Sequence, residues 1–209
     1  NMLYVRSSLE RANESRREME AVNVKLLKQS ETDQMTGLAN RYRLNAYSEK
    51  VLDYCYEHRL PLAMEILDID FFNDNYGHQQ GDECIIAIAN ELKKMEDGQT
   101  FCARYGGDEF IIIYAGISAE EVHAKAGALR QNIMNLKLEH LYSKALPIVT
   151  ISQGISYGVP EEGNRSWDFL HTADMLLYQV KKRSRNDICI ADIRGQELDL
   201  SSKQEKVEP

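Results

Sequence analysis

The chain has 209 residues, 43% hydrophobic and 28% charged, which suits one soluble globular domain with room for an extension. Its formal net charge of −8 argues against bulk attraction to nucleic acid or to an anionic membrane, so any cations serving a phosphorylated ligand must be local. No stretch approaches the ~20 consecutive apolar residues of a membrane span. Cys55, Cys84, Cys102 and Cys189 form no C-x-x-C pair and sit in apolar runs, so they read as buried free thiols of a reducing cytosol. The first residue is Asn1 rather than Met, which reads as a fragment. An upstream sensory domain or membrane anchor would lie outside it, with the present segment expected in the cytoplasm and making no membrane contact.

Residues 1–31 are charge-rich and lack Gly and Pro. Val5, Ala12, Met19 and Leu26 recur every seven residues, with Met2 and Leu9 three positions ahead of the first two. This is a partial heptad seam, interrupted on its second row by Arg16 and Asn23. It reads as a helical stalk, either a solvated helix or a dimerising coiled coil. Asp33-Gln-Met-Thr-Gly-Leu-Ala-Asn40 then breaks the pattern and supplies a cap for the next helix. Arg41 to His58 places Leu44, Tyr47, Val51, Tyr54 and His58 at helical spacing, and Pro61 marks entry to a strand.

Leu62 to Asp70 is mostly apolar and ends in two acids. Strand alternation puts Asp68 and Asp70 on one face at its carboxyl end, where two carboxylates repel unless they share a cation. Mg²⁺ is the natural cation, since it takes oxygen ligands and arrives with phosphates. The next segment, Phe71 to Asp82, is a polar loop rich in Asn, Asp and Gly, and these residue types also build ordinary turns. Glu83 to Met95 is expected as a helix with Ile85, Ile88, Ala89 and Leu92 inward.

Phe101-Cys-Ala and Ile111-Ile-Ile-Tyr114 flank Arg104-Tyr-Gly-Gly-Asp-Glu-Phe110, which reads as a hairpin with a tight turn at Gly106-Gly107. Two acids beside an Arg are unusual cargo for such a turn. Residues 118–138 are expected as a helix with Val122, Ala126, Leu129 and Ile133 on one face. Leu146 to Gly154 reads as a strand that Ile155 to Val159 continues past a kink. Trp167 to Lys182 reads as a helix with Leu170, Ala173, Leu177 and Val180 inward, and Asp187 to Ala191 as a last strand. Beyond Gly195 the tail is polar and expected to be disordered.

The order αβαββαβαβ predicts an α+β fold, a mostly antiparallel central sheet with helices on one or both faces. In that sheet the hairpin turn lies beside the end of the Leu62–Asp70 strand. Asp68, Asp70, Asp108 and Glu109 would then gather as a metal site.

Taken together, these stretches resemble the diguanylate cyclase, or GGDEF, family over roughly residues 31–191. Asp33-x-x-Thr-Gly-Leu-x-Asn-Arg41 resembles its entry motif, Asp68-Ile-Asp its metal strand, and Asn73-Asp-x-Tyr-Gly-His-x-x-Gly-Asp82 its nucleotide loop. Arg104 to Phe110 is similar to its signature, and Ala173-Asp-x-x-Leu-Tyr-x-x-Lys181-x-x-x-Arg185-Asn to its closing helix, with Ser184 where glycine is usual. The resemblance implies a core like the nucleotidyl cyclases and the polymerase palm, ferredoxin-like in topology. It implies a stalk at 1–31, a catalytic domain at 32–191 and a tail at 192–209.

The implied activity joins two GTP into cyclic di-GMP with release of two pyrophosphates. It requires a homodimer, because each domain holds one GTP. Asp68, the Ile69 carbonyl and Asp108 are the implied Mg²⁺ ligands, with Mn²⁺ as an alternative metal. Asp108 is the implied proton acceptor for the 3′-hydroxyl, with Glu109 the second candidate, because a carboxylate on a dication is a weak base. Asn73 and Asp82 resemble the guanine-reading pair, with Phe72 and His78 in the same loop. Arg104, Gly106 and Gly107 bring the hairpin backbone close to the nucleotide. Lys181 and Arg185, four apart on one helix face, resemble the triphosphate contacts, and the acidic net charge disfavours reading Lys181 to Arg185 as a nucleic-acid patch.

Two departures stand out. Between Phe72 and Asn73 the family carries three further residues beginning with a phosphate-contacting Lys. Either the loop is shorter here and a cation is lost, or the three belong to the protein and are absent from this sequence. The second is favoured by the intact flanking pattern. In addition, Asp97 and Thr100 stand where many members carry the Arg-x-x-Asp of product inhibition, so inhibition of that kind is not expected. The competing readings are a GGDEF domain that only binds GTP or scaffolds a partner, and a purely structural dimerisation unit.

Overall fold

The computed structural model describes residues 31–71 and 78–196, apart from 141–142 and 144–145 and the side chains of 78 and 79, together with Leu198 and six positions between Asn13 and Leu26. Those six are helical. The continuous heptad seam, the loop 72–77 and the end of the tail lie outside the described residues.

Helix α1 spans Arg41–His58 and is followed by β1 (Leu62–Ile69), α2 (His78–Met95), β2 (Thr100–Gly106), β3 (Glu109–Ala115), α3 (Ala119–Asn135), β4 (Ile151–Gly158), α4 (Ser166–Arg183) and β5 (Ile188–Asp192). The Asn40 side chain accepts from the Arg43 N–H at 3.0 Å to cap α1. Ser118 and Glu121 form a reciprocal capping box on α3. The sheet order is β2-β3-β1-β4-β5, antiparallel except for the β4–β5 pair. β1 is therefore central and hydrogen-bonded on both sides, which explains why its sequence is apolar almost throughout.

Helices cover both faces. Ala63, Leu67 and Ile69 pack with the inner residues of α2 and α3, including Ile88, Leu92, Val122 and Leu129. Leu62 and Met64 pack on the opposite face with Leu44, Val51 and Cys55 of α1 and Phe169 of α4. All four cysteines are free and buried, as the sequence implied.

Three details differ from expectation. The inward face of α1 carries Leu44, Ser48, Val51, Leu52 and Cys55, while Tyr54 is half exposed and lies tilted against the His58 ring at 4.2 Å. The smaller Cys55 takes the core place instead, in one buried cluster with Leu62 and Met64 of β1. Second, residues 146–150 are not part of β4, and the strand runs through Gly154 in continuous register rather than kinking there. Gly154 serves close approach instead: a β-carbon on it would sit 2.2 Å from the Ala173 carbonyl oxygen and 2.3 Å from the Leu177 nitrogen. Helix α4 thus lies directly on the β4 backbone. Third, Leu170 is only partly buried and α4 turns Phe169, Leu176 and Leu177 inward beside Ala173 and Val180.

One core residue is polar. Glu65, wholly buried in β1, accepts from the Tyr114 hydroxyl at 2.8 Å through Oε2, while its Oε1 has no partner among the described residues. Burial pushes its carboxyl up to about 8, against a smaller downward pull from Tyr114. A proton held more tightly in the folded than in the unfolded chain makes stability fall as pH rises from about 4.5 to about 8. Chemical denaturation of Glu65→Gln at pH 5 and pH 8 should show this loss flattened relative to the parent. An unchanged pH slope would contradict the assignment.

Candidate active site

The site begins with register. Asp68 pairs directly with Glu109 across β1 and β3, so the end of the central strand meets the first residue after the hairpin turn. The turn itself is short, with Gly107 and Asp108 between β2 and β3. Gly107 adopts φ +55, the left-handed conformation such two-residue loops use and glycine accepts without strain. Register shifts between Arg104 and Gly106, which sets Tyr105 off the ladder as a bulge. The Arg41 guanidinium covers the Tyr105 ring at 4.4 Å. Among the described residues, no atom beyond the chain neighbours lies within 4 Å of where side chains on Gly106 or Gly107 would begin, leaving the outer side of the turn open to them.

Arg104 is committed inside the protein. Its Nε and Nη2 donate to the Gly107 carbonyl at 3.1 and 2.8 Å, and its Nη1 lies 3.2 Å from Asp33 Oδ1. Asp33 also accepts from the Thr36 N–H and hydroxyl at 2.9 and 2.7 Å. Burial pushes the Asp33 carboxyl up, but the Thr36 and Arg104 contacts outweigh it and hold the group below its usual range. The entry motif is thereby fastened to the hairpin, reinforced where Arg104 N–H donates to the Ala39 carbonyl at 2.9 Å.

At the acid end, Asp68 is buried and Lys181 Nζ of α4 stands 2.7 Å from its Oδ2. Burial pushes the Asp68 carboxyl up to about 6; Lys181 pulls it down, and the charges of Asp108 and Glu109 push it further up. Glu109 is raised in the same way, first by burial, with Lys181 opposing and Asp108 and Asp174 adding. Such a cluster is short of positive charge. Carboxylate oxygens such as those of Asp68 and Asp108 are the hard donors that Mg²⁺ or Mn²⁺ takes.

Asp70 does not join that cluster, contrary to the four-carboxylate expectation. Its carboxylate is taken by Thr150, Ser152, the Asn186 N–H and Arg185, and no three His, Cys, Asp or Glu side chains among the described residues are grouped to hold a metal. The strand alternation did bring Asp70 to the same side as Asp68, but Ser152 of β4 and Thr150 just before that strand reach it with their hydroxyls. Arg185 is likewise not on the face of α4. It follows the helix end at φ +53, with Asn186 at +45, two non-glycine residues in the left-handed region. Each such residue costs on the order of 1–2 kcal/mol.

Of the two residues expected to read guanine, Asp82 is exposed in the opening turns of α2 and Asn73 lies outside the described residues, as do Phe72 and the His78 side chain. Sequence reasoning passed over Asp174. It lines a cleft of about 210 Å³ with Glu109, Tyr105, Trp167 and His171, and borders a second of about 240 Å³ with Glu109, Tyr178 and Lys181. Its spacing of seven before Lys181 on one helix was the available signal. At the Arg-x-x-Asp position, Lys125 Nζ of α3 binds Asp97 Oδ2 at 2.8 Å and Thr100 Oγ1 at 3.0 Å, and chiefly through Lys125 the Asp97 carboxyl falls to about 2.

Truncation of Arg104 to Ala should lower unfolding stability by about 2 kcal/mol, the scale of hydrogen bonds to a charged group. Asp33→Ala should cost less, and the double variant less than the sum of both, as read by urea titration. Strict additivity would separate the entry motif from the hairpin.

The family model described as "Diguanylate cyclase, GGDEF domain" matches residues 30–187. The protein named "Probable diguanylate cyclase DgcC" of Escherichia coli K12 is 34% identical over 163 residues, covering 75% of this chain and 42% of that protein. "Diguanylate cyclase DgcP" of Pseudomonas aeruginosa is 32% identical over 190 residues, 88% of this chain and 28% of that one. The chain therefore spans less than half the length of these curated relatives. A crystal structure of the coiled coil and GGDEF domain of DgcB from Caulobacter crescentus, in complex with c-di-GMP, superposes with a TM-score of 0.70 at 28% identity, covering 87% of this chain and 97% of that one. No helix among the described residues is long and apolar enough to cross a membrane.

Proposed function

Because the chain belongs to the diguanylate cyclase GGDEF domain family, we propose that it condenses two GTP into cyclic di-GMP across a homodimer. The observation that carries this reading is the register of Asp68 against Glu109, which sets an intact hairpin beside the metal-strand acid and Lys181. In each half-reaction a 3′-hydroxyl attacks the α-phosphorus of the GTP on the facing domain. The new P–O bond forms as the bond to pyrophosphate breaks, and the hydroxyl proton passes to a carboxylate.

Asp68, the Ile69 carbonyl and Asp108 would hold Mg²⁺ or Mn²⁺, which when bound offsets charge on the phosphates. Glu109, lifted by burial above the ordinary carboxylate range, suits the proton-accepting role better than an Asp108 engaged with a dication. Lys181 turns from Asp68 to the triphosphate, and Arg185 joins it. Asp82 accepts from the guanine edge, with Asn73 beside it and Phe72 and His78 in the same loop. Gly106 and Gly107 line the nucleotide's path on the open side of the turn, whereas Arg104 acts on the nucleotide only by shaping that turn.

Residues 1–31 act as the dimerising stalk ahead of a catalytic domain at 32–191 and a polar tail at 192–209. Exposure of the heptad residues Met19 and Leu26, at 64% and 57%, supports a seam awaiting a second copy. The domain works in the cytoplasm, under a sensory partner upstream. Product inhibition of the Arg-x-x-Asp kind is absent, because Lys125 already satisfies the acid that replaces the arginine.

A second reading, a GTP-binding module without turnover, is favoured by the three residues lacking between Phe72 and Asn73. Loss of one phosphate-stabilising cation commonly lowers a rate by roughly 10²–10³-fold. Incubation with GTP and Mg²⁺ should yield cyclic di-GMP, lost on Asp108→Ala and not slowed by added product. GTP binding without product, with turnover restored by inserting three residues that begin with lysine, would establish the second reading instead.

A further inference from the structure

Asp70 takes no part in the chemistry above, yet it is wholly buried and draws contacts from two other segments of the chain. From β4 and the residue before it, Ser152 Oγ donates to Oδ1 at 2.7 Å and Thr150 Oγ1 to Oδ2 at 2.8 Å. From the turn after α4, the Asn186 N–H donates to Oδ2 at 3.0 Å and Arg185 Nη1 stands 3.5 Å from Oδ1. A buried carboxylate needs such partners, and the hydroxyls and the N–H meet that need as hydrogen bonds. The guanidinium is the surplus contact, and it belongs to a side chain that keeps 28% of its surface exposed.

That guanidinium is held from a second direction. It lies over the Phe71 ring at 4.1 Å from the centroid, within cation–π range. Phe71 is itself in the left-handed region at φ +58, with its carbonyl 3.2 Å from His140 Nε2. The backbone under Arg185 is fixed too, since the left-handed pair at 185 and 186 lacks any glycine and its N–H is tied to Asp70. Ring, carboxylate and turn together leave the arginine few rotamers.

The two cations near the site therefore differ. Lys181 rests on Asp68, a group that a dication would claim. Arg185 rests on Asp70, which no ligand claims, so its hold outlasts substrate arrival. We propose that Asp70 is a positioning residue that presents Arg185, preset, to the triphosphate of GTP; this rests on the GTP reading above. An arginine ordered before binding does not lose its freedom during binding, which strengthens association without a new contact.

The test is titration of a non-hydrolysable GTP analogue with Mg²⁺ into the full chain, alongside thermal melts. Asp70→Asn and Arg185→Ala should each weaken binding about tenfold, and the double variant no more than Arg185→Ala alone, the signature of residues acting as one unit. KM should rise more than kcat falls. Unchanged affinity in folded Asp70→Asn, or losses that multiply in the double variant, would overturn the proposal and leave Asp70 as fold support. Should Asp70→Asn not fold, Ser152→Ala loosens the carboxylate more gently. It should weaken binding about threefold in the parent and not at all beside Arg185→Ala, and no change in the parent overturns the proposal. Failure of the parent chain itself to bind the analogue overturns the GTP reading and this proposal with it, an outcome distinct from binding that survives Asp70→Asn.

Discussion

The contact on which the site depends is the seating of α4 on the backbone of β4 at Gly154. Only a glycine permits helix and strand to approach so closely, and the approach has a consequence ten or more ångströms of helix later. Over about two further turns at 1.5 Å rise per residue, α4 carries Lys181 to Asp68 and delivers Arg185 to Asp70. The two acids at the end of the central strand thus meet Lys181 in the last turn of the helix and Arg185 in the turn that follows it. A larger residue at 154 would lift the helix and separate both pairs at once.

The electrostatics follow from that seating. Asp68 sits buried beside Asp108 and Glu109, with one lysine to offset them, so its carboxyl rests near 6 rather than in the ordinary range. Asp70, two residues on, is fully provided with donors. Adjacent acids on one face therefore divide their work: one cluster retains an appetite for cations, while the other holds a turn and an arginine in place. The acidic net charge of the chain does not exclude a phosphorylated ligand, because Lys181 and Arg185 gather at this one end.

Much of this was legible in the sequence. The mostly apolar run Leu62–Asp70 gave the strand, alternation along it gave the shared side of its two acids, and the Gly-Gly pair between two apolar runs gave the hairpin. What escaped was set by distant partners. Thr150 and Ser152 reach Asp70 from 80 and 82 residues away, and nothing local to Asp70 announced them. Arg104 looked like a ligand contact, since its attachment to Asp33 spans 71 residues. Arg185 was placed on the helix by spacing alone, whereas the helix had ended at Arg183. Gly154 read as a kink because its lack of a side chain suits both a bend and a close approach, and only the position of α4 decides between them.

In the function proposed above, the end of β1 and the hairpin apex form one cation-seeking site for a nucleoside triphosphate. Electron paramagnetic resonance of Mn²⁺ in the presence of a GTP analogue tests this most directly, by counting metal held by the chain. Mn²⁺ should bind at a single site, and Asp68→Asn and Asp108→Asn should each weaken that binding severalfold. Binding that both substitutions leave intact would contradict this reading.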